Sequence, residues 1–110
     1  MKVNVSHHTG YATIALEGRF TAVGAPVFRK AVTDLVGKDE VRIVVDLSQV
    51  SFIDSSGLGA LIGSLKTARL AEGDLRIAAP TTAVSSVLRL TNLDRVLRAY
   101  PDPDSAFDTA

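Results

Sequence analysis

The strongest constraint on this chain is a short apolar run with almost no alternation. Val41 to Leu47 contains Ile43-Val44-Val45, three β-branched residues in succession, a pattern that suits a strand covered on both faces, as in a parallel sheet. On either side of it apolar residues recur at three- and four-residue intervals. Val27, Phe28, Ala31, Val32, Leu35 and Val36 precede it, and Leu58, Leu61, Ile62, Leu65 and Ala68 follow it, each set marking one face of a helix. A central strand between two helices requires parallel, right-handed crossovers. The expectation is an α/β layer fold.

The flanking segments complete that plan. Val3 and Val5 alternate with polar residues, His7 to Gly10 offer a turn, and Tyr11 to Glu17 turn Ala12, Ile14 and Leu16 to one face, leaving Thr13 and Glu17 on the other. This predicts an antiparallel hairpin ended by Gly18. Gly18 to Pro26 reads as a loop, with Pro26 suited to a helix's first turn and Gly37 to its end. The second helix runs to Glu72, with Gly73 as its stop. Leu75 to Ala78 is a further short strand, and Pro80-Thr81-Thr82 opens a third helix carrying Val84, Val87 and Leu88. Asn92 is expected to cap it in the left-handed conformation, with Leu93 folding back. Val96 to Ala99 offers a small edge strand, and Ser105 to Ala110 at most one helical turn. One domain spans residues 1–110, with an ordered core over about 2–100 and a short tail.

Composition removes several function classes. The chain has no cysteine, so disulfides, thiolate metal sites and cysteine nucleophiles are excluded. Twelve Lys and Arg balance twelve Asp and Glu, and without a net positive field nucleic acid is disfavoured as a partner. No apolar run reaches the roughly 18 residues of a membrane span, and Met1 to His8 lacks a leader pattern. We expect a cytoplasmic protein, not membrane-bound, with no metal and no cofactor, as a monomer or weak dimer.

The chemistry concentrates in Asp54-Ser55-Ser56-Gly57-Leu58-Gly59, where a strand-derived loop enters a helix and exposes backbone N–H groups at the positive end of its dipole. The plainest reading makes Asp54 or Ser55 an N-cap and gives the glycines a packing role. Gly57-x-Gly59-x-x-x-Gly63 also echoes a dinucleotide fingerprint, although Glu72 and Asp74 precede the next strand instead of ending it, where a ribose-binding carboxylate belongs. A serine nucleophile lacks the Gly-x-Ser-x-Gly elbow, and its candidate bases, His7 and His8, lie in the first hairpin. Gly59 and Gly63, four residues apart and flanked by Lys66 and Thr67, either pack inside the domain or leave a bare strip on which another backbone can rest.

Phe52-Ile53-Asp54-Ser55-Ser56-Gly57-Leu58-Gly59-Ala60-Leu61 closely resembles the signature of the STAS domain, in particular of bacterial anti-sigma factor antagonists. Gly18-Arg19-Phe20 with Ala25-Pro26, Val44-Val45-Asp46-Leu47-Ser48 and Leu90-Thr91-Asn92-Leu93 extend the resemblance over nearly the whole chain. It implies a mixed sheet of four to five strands, antiparallel at the N-terminal hairpin and parallel elsewhere, flanked by three to four helices. It further implies a regulator and not an enzyme. Ser55 falls at the phosphorylation position, with Ser56 as its neighbour. The unphosphorylated form would bind an anti-sigma factor serine kinase, a GHKL-type ATPase, and so free the sigma factor. Phosphorylation would end that binding, and a PP2C-type phosphatase would restore it. The partner surface implied comprises Arg19, Thr21, Asp54, Ser55, Ser56, Gly57, Leu58, Gly59, Gly63, Lys66 and Thr67. Thr21 stands where many antagonists carry aspartate, which removes a carboxylate from that surface, whereas Asn92 for the usual glycine keeps the left-handed cap. The alternative reading is a STAS scaffold subunit of a transporter or stress-signalling complex in which Ser55 is idle.

Overall fold

The computed structural model describes residues 1–107. Strands β1 (Lys2–His8), β2 (Tyr11–Phe20), β3 (Arg42–Ile53), β4 (Asp74–Ala78) and β5 (Ala99–Tyr100) form one sheet in the order β1-β2-β3-β4-β5. The β1–β2 pair is antiparallel and the other three pairs are parallel, as the alternation of strands and helices requires. Helices α1 (Ala25–Gly37), α2 (Ser55–Leu70) and α3 (Thr82–Leu90) make the connections, with short 3-10 turns at Leu93–Arg95 and Pro103–Ser105.

The core follows from the alternation along the strands. Ile14 and Leu16 of β2, Ile43, Val45 and Leu47 of β3, and Leu75 and Ile77 of β4 share one cluster with Phe28 and Val32 of α1, Leu61 and Leu65 of α2, and Val84 and Leu88 of α3. Val27, counted in the α1 stripe from its spacing, is instead exposed. The opposite sheet face is covered in part by the C-terminal segment. Ala106 is buried against Val44 and Ala78, beyond the residue 100 at which the ordered core was expected to end. Arg76 donates to the Ala106 carbonyl at 2.6 Å and its guanidinium lies 4.2 Å from the Phe107 ring centre. Tyr11 donates its hydroxyl to Asp104 at 2.7 Å, which raises the phenol above its ordinary pKa. Residues 108–110 of the expected final turn lie outside the described residues.

Several predicted boundaries move, each for a reason set by packing. The hairpin ladder continues to His8 opposite Tyr11, so the turn shrinks to Thr9 and Gly10. Thr13 does not face water: it lies in register with Val44 and is 7% exposed, with no partner for its hydroxyl. Strand β2 runs past Gly18, whose φ of +107° coincides with a register shift, a conformation that glycine adopts without steric cost. Two such shifts keep β2 and β3 paired to Phe20 and Ile53, so β3 continues six residues beyond Leu47. The loop before α1 is correspondingly short.

The two glycine stops also differ from expectation. In both helices the left-handed residue is acidic: Asp39 (φ 62°) after α1 and Glu72 (φ 66°) after α2. The Asp39 and Glu40 amides donate to Val36 and Leu35, and those of Glu72 and Gly73 to Arg69 and Ala68, two Schellman closures of the same form. Gly73 is needed for a different reason, because a Cβ there would collide with the Val41 carbonyl. Asn92 does take the left-handed cap, at φ 59°, and the last strand falls at Ala99–Tyr100, with Leu97 of the predicted edge segment buried in the core.

Phe20, fully buried with its ring 5.2 Å from that of Phe28 in an edge-on packing, ties β2 to α1. Phe20→Ala should destabilise the domain by about 3–5 kcal/mol, measured as a lower urea midpoint with unchanged slope.

Candidate functional site

The C-terminal ends of β2 and β3 lie side by side and feed two helix starts. The Asp54 amide donates to the Phe20 carbonyl at 3.2 Å, and the amides of Gly24 and Ala25 donate to the Thr21 carbonyl at 3.1 and 2.9 Å. Asp54 is the N-cap of α2: its extended backbone breaks from the strand and its Oδ1 accepts the Gly57 amide at 3.0 Å. That bond satisfies one of the orphan donors of the helix start. Ser55, the first helical residue, is exposed, and its hydroxyl has no hydrogen-bond partner among the described residues. Ser56 is half-buried and Leu58 packs against the core.

The three glycines serve two different purposes. Gly57 is buried, and a Cβ there would collide with the Phe20 carbonyl and come within 2.8 Å of Ile53 Cγ1. Gly59 and Gly63 face open space, so of the two readings of this pair the bare strip is the one realised. Lys66 and Thr67 continue the exposed side of α2, about 16 Å from Ser55 at 1.5 Å rise per residue. The Thr67 hydroxyl donates back to the Gly63 carbonyl at 3.1 Å.

Arg19 and Phe52 are paired in register and alternate with Phe20 and Ile53, which enter the core. They therefore lie on the opposite sheet face, where the Arg19 guanidinium sits 4.6 Å from the Phe52 ring centre, within cation–π range. Phe52, 41% exposed, is the residue that motif reading passed over. Its signal was an aromatic side chain alternating with a core-facing isoleucine immediately before the cap. The structure thus brings Arg19, Thr21, Asp54, Ser55 and Ser56 to one end of the sheet and strings Gly59, Gly63, Lys66 and Thr67 along α2, while Gly57 and Leu58 act from beneath.

The two catalytic alternatives do not survive this geometry. Gly63 contacts no strand, as the third fingerprint glycine must, and Asp74 is tied to Arg69 and Arg76 at the start of β4. His7 binds Glu40 at 2.8 Å and His8 stacks on Tyr11 at 4.6 Å. Both sit at the end of β1, opposite the start of β2, and the length of β2, roughly 30 Å, separates them from Ser55. No group of three metal-ligating side chains occurs among the described residues, and no helix there is long and apolar enough to cross a membrane.

A single α/β domain with this strand order has counterparts among known proteins. The model of the STAS domain matches residues 2–106, and the chain belongs to that family. Protein TM1081 of Thermotoga maritima superposes with a TM-score of 0.87 at 28% identity, covering 94% of this chain and 90% of that one. An anti-sigma factor antagonist from Mycobacterium paratuberculosis gives 0.84 at 28% identity, covering 96% and 89%. The anti-sigma-B factor antagonist of Listeria monocytogenes is 26% identical over 89 residues, 81% of this chain and 78% of that protein.

The contrast among the glycines is directly measurable. Gly57→Ala should destabilise the domain by about 1–3 kcal/mol through overpacking. Gly59→Ala and Gly63→Ala should each stabilise it by about 0.5–1 kcal/mol, the helix-interior preference of alanine. Chemical denaturation of the three variants checks both signs.

Proposed function

We propose that this protein is a cytoplasmic anti-sigma factor antagonist that works by partner switching and not by catalysis. The observation that carries the reading is the position of Ser55: exposed, free of side-chain hydrogen bonds among the described residues, and in the first turn of a helix whose cap is made by its neighbour Asp54. Unphosphorylated, it binds a GHKL-type serine kinase that serves as anti-sigma factor, and the sigma factor is freed. The same kinase transfers phosphate to Ser55, and a PP2C-type phosphatase removes it. The antagonist names of the Listeria and Mycobacterium relatives support this role.

The contact surface on this reading is Arg19 and Thr21 at the strand ends, Asp54 to Gly57 at the helix start, and Leu58, Gly59, Gly63, Lys66 and Thr67 along α2. The bare backbone at Gly59 and Gly63 allows a partner element to approach closely. A phosphate on Ser55 adds about −1.5 to −2 charges beside Asp54. The helix dipole and free amides offset that charge within the domain, so its cost falls on the complex. Desolvating it against a partner costs about 4 kcal/mol, roughly a thousandfold in affinity.

The test is capture from host extract with Ser55→Ala and Ser55→Asp baits. A kinase-like ATPase retained by Ser55→Ala and lost by Ser55→Asp, with affinities at least tenfold apart, is the expected result. The same partner on both baits would make the domain a constitutive scaffold and remove the switch.

A further inference from the structure

Strand β1 forms a free edge of the sheet. Its seven residues pair with β2 on one side only, and all but Val3 are exposed. The strand lacks the devices that keep edge strands single: it has no proline, no bulge in its pairing with β2, and no carboxylate, and its one constant charge, Lys2, is at its start. Alternation turns Val3, Val5 and His7 toward α1, where with Val27, Ala31 and Leu35 they line a groove of about 340 Å³. Val5 is 39% and Val27 53% exposed.

We propose that this edge receives a second copy of the chain, β1 against β1, about a two-fold axis at Val5, so that the two sheets become one. Self-complementarity selects that occupant. An antiparallel pairing centred on Val5 sets Val5 against itself, Val3 against His7, Asn4 against Ser6 and Lys2 against His8, so the two lysines do not meet. Helix α1 returns antiparallel to β2 and therefore runs in the direction of β1. The axis that reverses β1 thus reverses α1 as well, and brings Lys30 of one copy toward Asp34 of the other. In the single chain these two exposed groups pair with each other at 2.9 Å, and the two-fold lets them exchange partners. A strand of unrelated sequence would meet neither match. The edge lies apart from the Ser55 surface, so this inference and the switch stand or fall separately.

Sedimentation equilibrium of the full chain up to about 1 mM is the test, with a dissociation constant on the order of 100 µM or tighter expected for a small interface. Val5→Lys, which places two cations on the axis, should weaken association at least tenfold without changing the thermal melt, and Ser55→Asp should leave it unchanged. Because the chain has no cysteine, the register can be read by oxidation. Val5→Cys should yield a disulfide-linked dimer, and Lys2→Cys should not, its two copies being about 20 Å apart in this register. A monomer at every concentration, a dimer indifferent to Val5→Lys, or failure of Val5→Cys to cross-link more than Lys2→Cys would each overturn the proposal.

Discussion

The contact on which the rest of the site depends is the approach of the α2 backbone at Gly57 to the Phe20 carbonyl. That carbonyl already accepts the Asp54 amide, and the Phe20 ring anchors α1 through Phe28. One residue at the end of β2 therefore fixes where β3 stops, where α2 starts and how α1 leans on both. The fit leaves no room for a Cβ at position 57. With the helix start clamped from below, Asp54 and Ser55 are held at its rim with little freedom. Such pre-organisation suits a surface that must be recognised in one form and refused in another.

Features set by local chemistry were legible in the sequence. The cap of α2 could be narrowed to Asp54 or Ser55 from the apolar spacing behind them, and the structure places it at Asp54, whose side chain serves an amide three residues on. Asn92 was legible because asparagine tolerates the left-handed backbone that ends a helix, and the antiparallel hairpin followed by parallel strands because it follows from the lengths of the connections. Features set by distant packing were not. The continuation of β3 through Val50 to Ile53 depends on two register shifts against β2, and nothing in Ser48-Gln49-Val50-Ser51 alternates like a strand. Gly57 and Gly59 are the same residue type two positions apart, yet one meets a strand carbonyl and the other meets solvent. The α2 helical phase distinguishes them only once its buried face is known.

Thr13 shows the same limit from the polar side. Its alternation with Ile14 assigned it to water, and it does lie on the face away from the main core. That face is not open, however, because Val44, Ala78 and Ala106 form a second small cluster there. The C-terminal segment responsible is rich in Asp and Pro, a composition that reads as a frayed tail. It is held by Arg76, which reaches the Ala106 carbonyl and the Phe107 ring while its Nε meets Asp74 at 3.1 Å. Together with the Tyr11–Asp104 bond and the burial of Ala106, this arginine helps convert a sequence without apolar periodicity into a packed element.

On the proposed reading, the same economy lets a small domain carry a signal through its surface. The Asp54 carboxylate is engaged with the Gly57 amide, and the Ser55 hydroxyl has no hydrogen-bond partner among the described residues. On the proposed reading, modifying that hydroxyl breaks no internal bond among the described residues. The added charge sits at the positive end of α2, where no acidic side chain occupies the first turn beyond the cap. Repulsion from Asp54 is opposed by the dipole and free amides. On that reading the difference between the two forms resides in what the surface presents. In the complex we propose, a partner that buries Ser55 against the bare strip of Gly59 and Gly63 meets that difference in full, because close backbone approach leaves no water to solvate a phosphate.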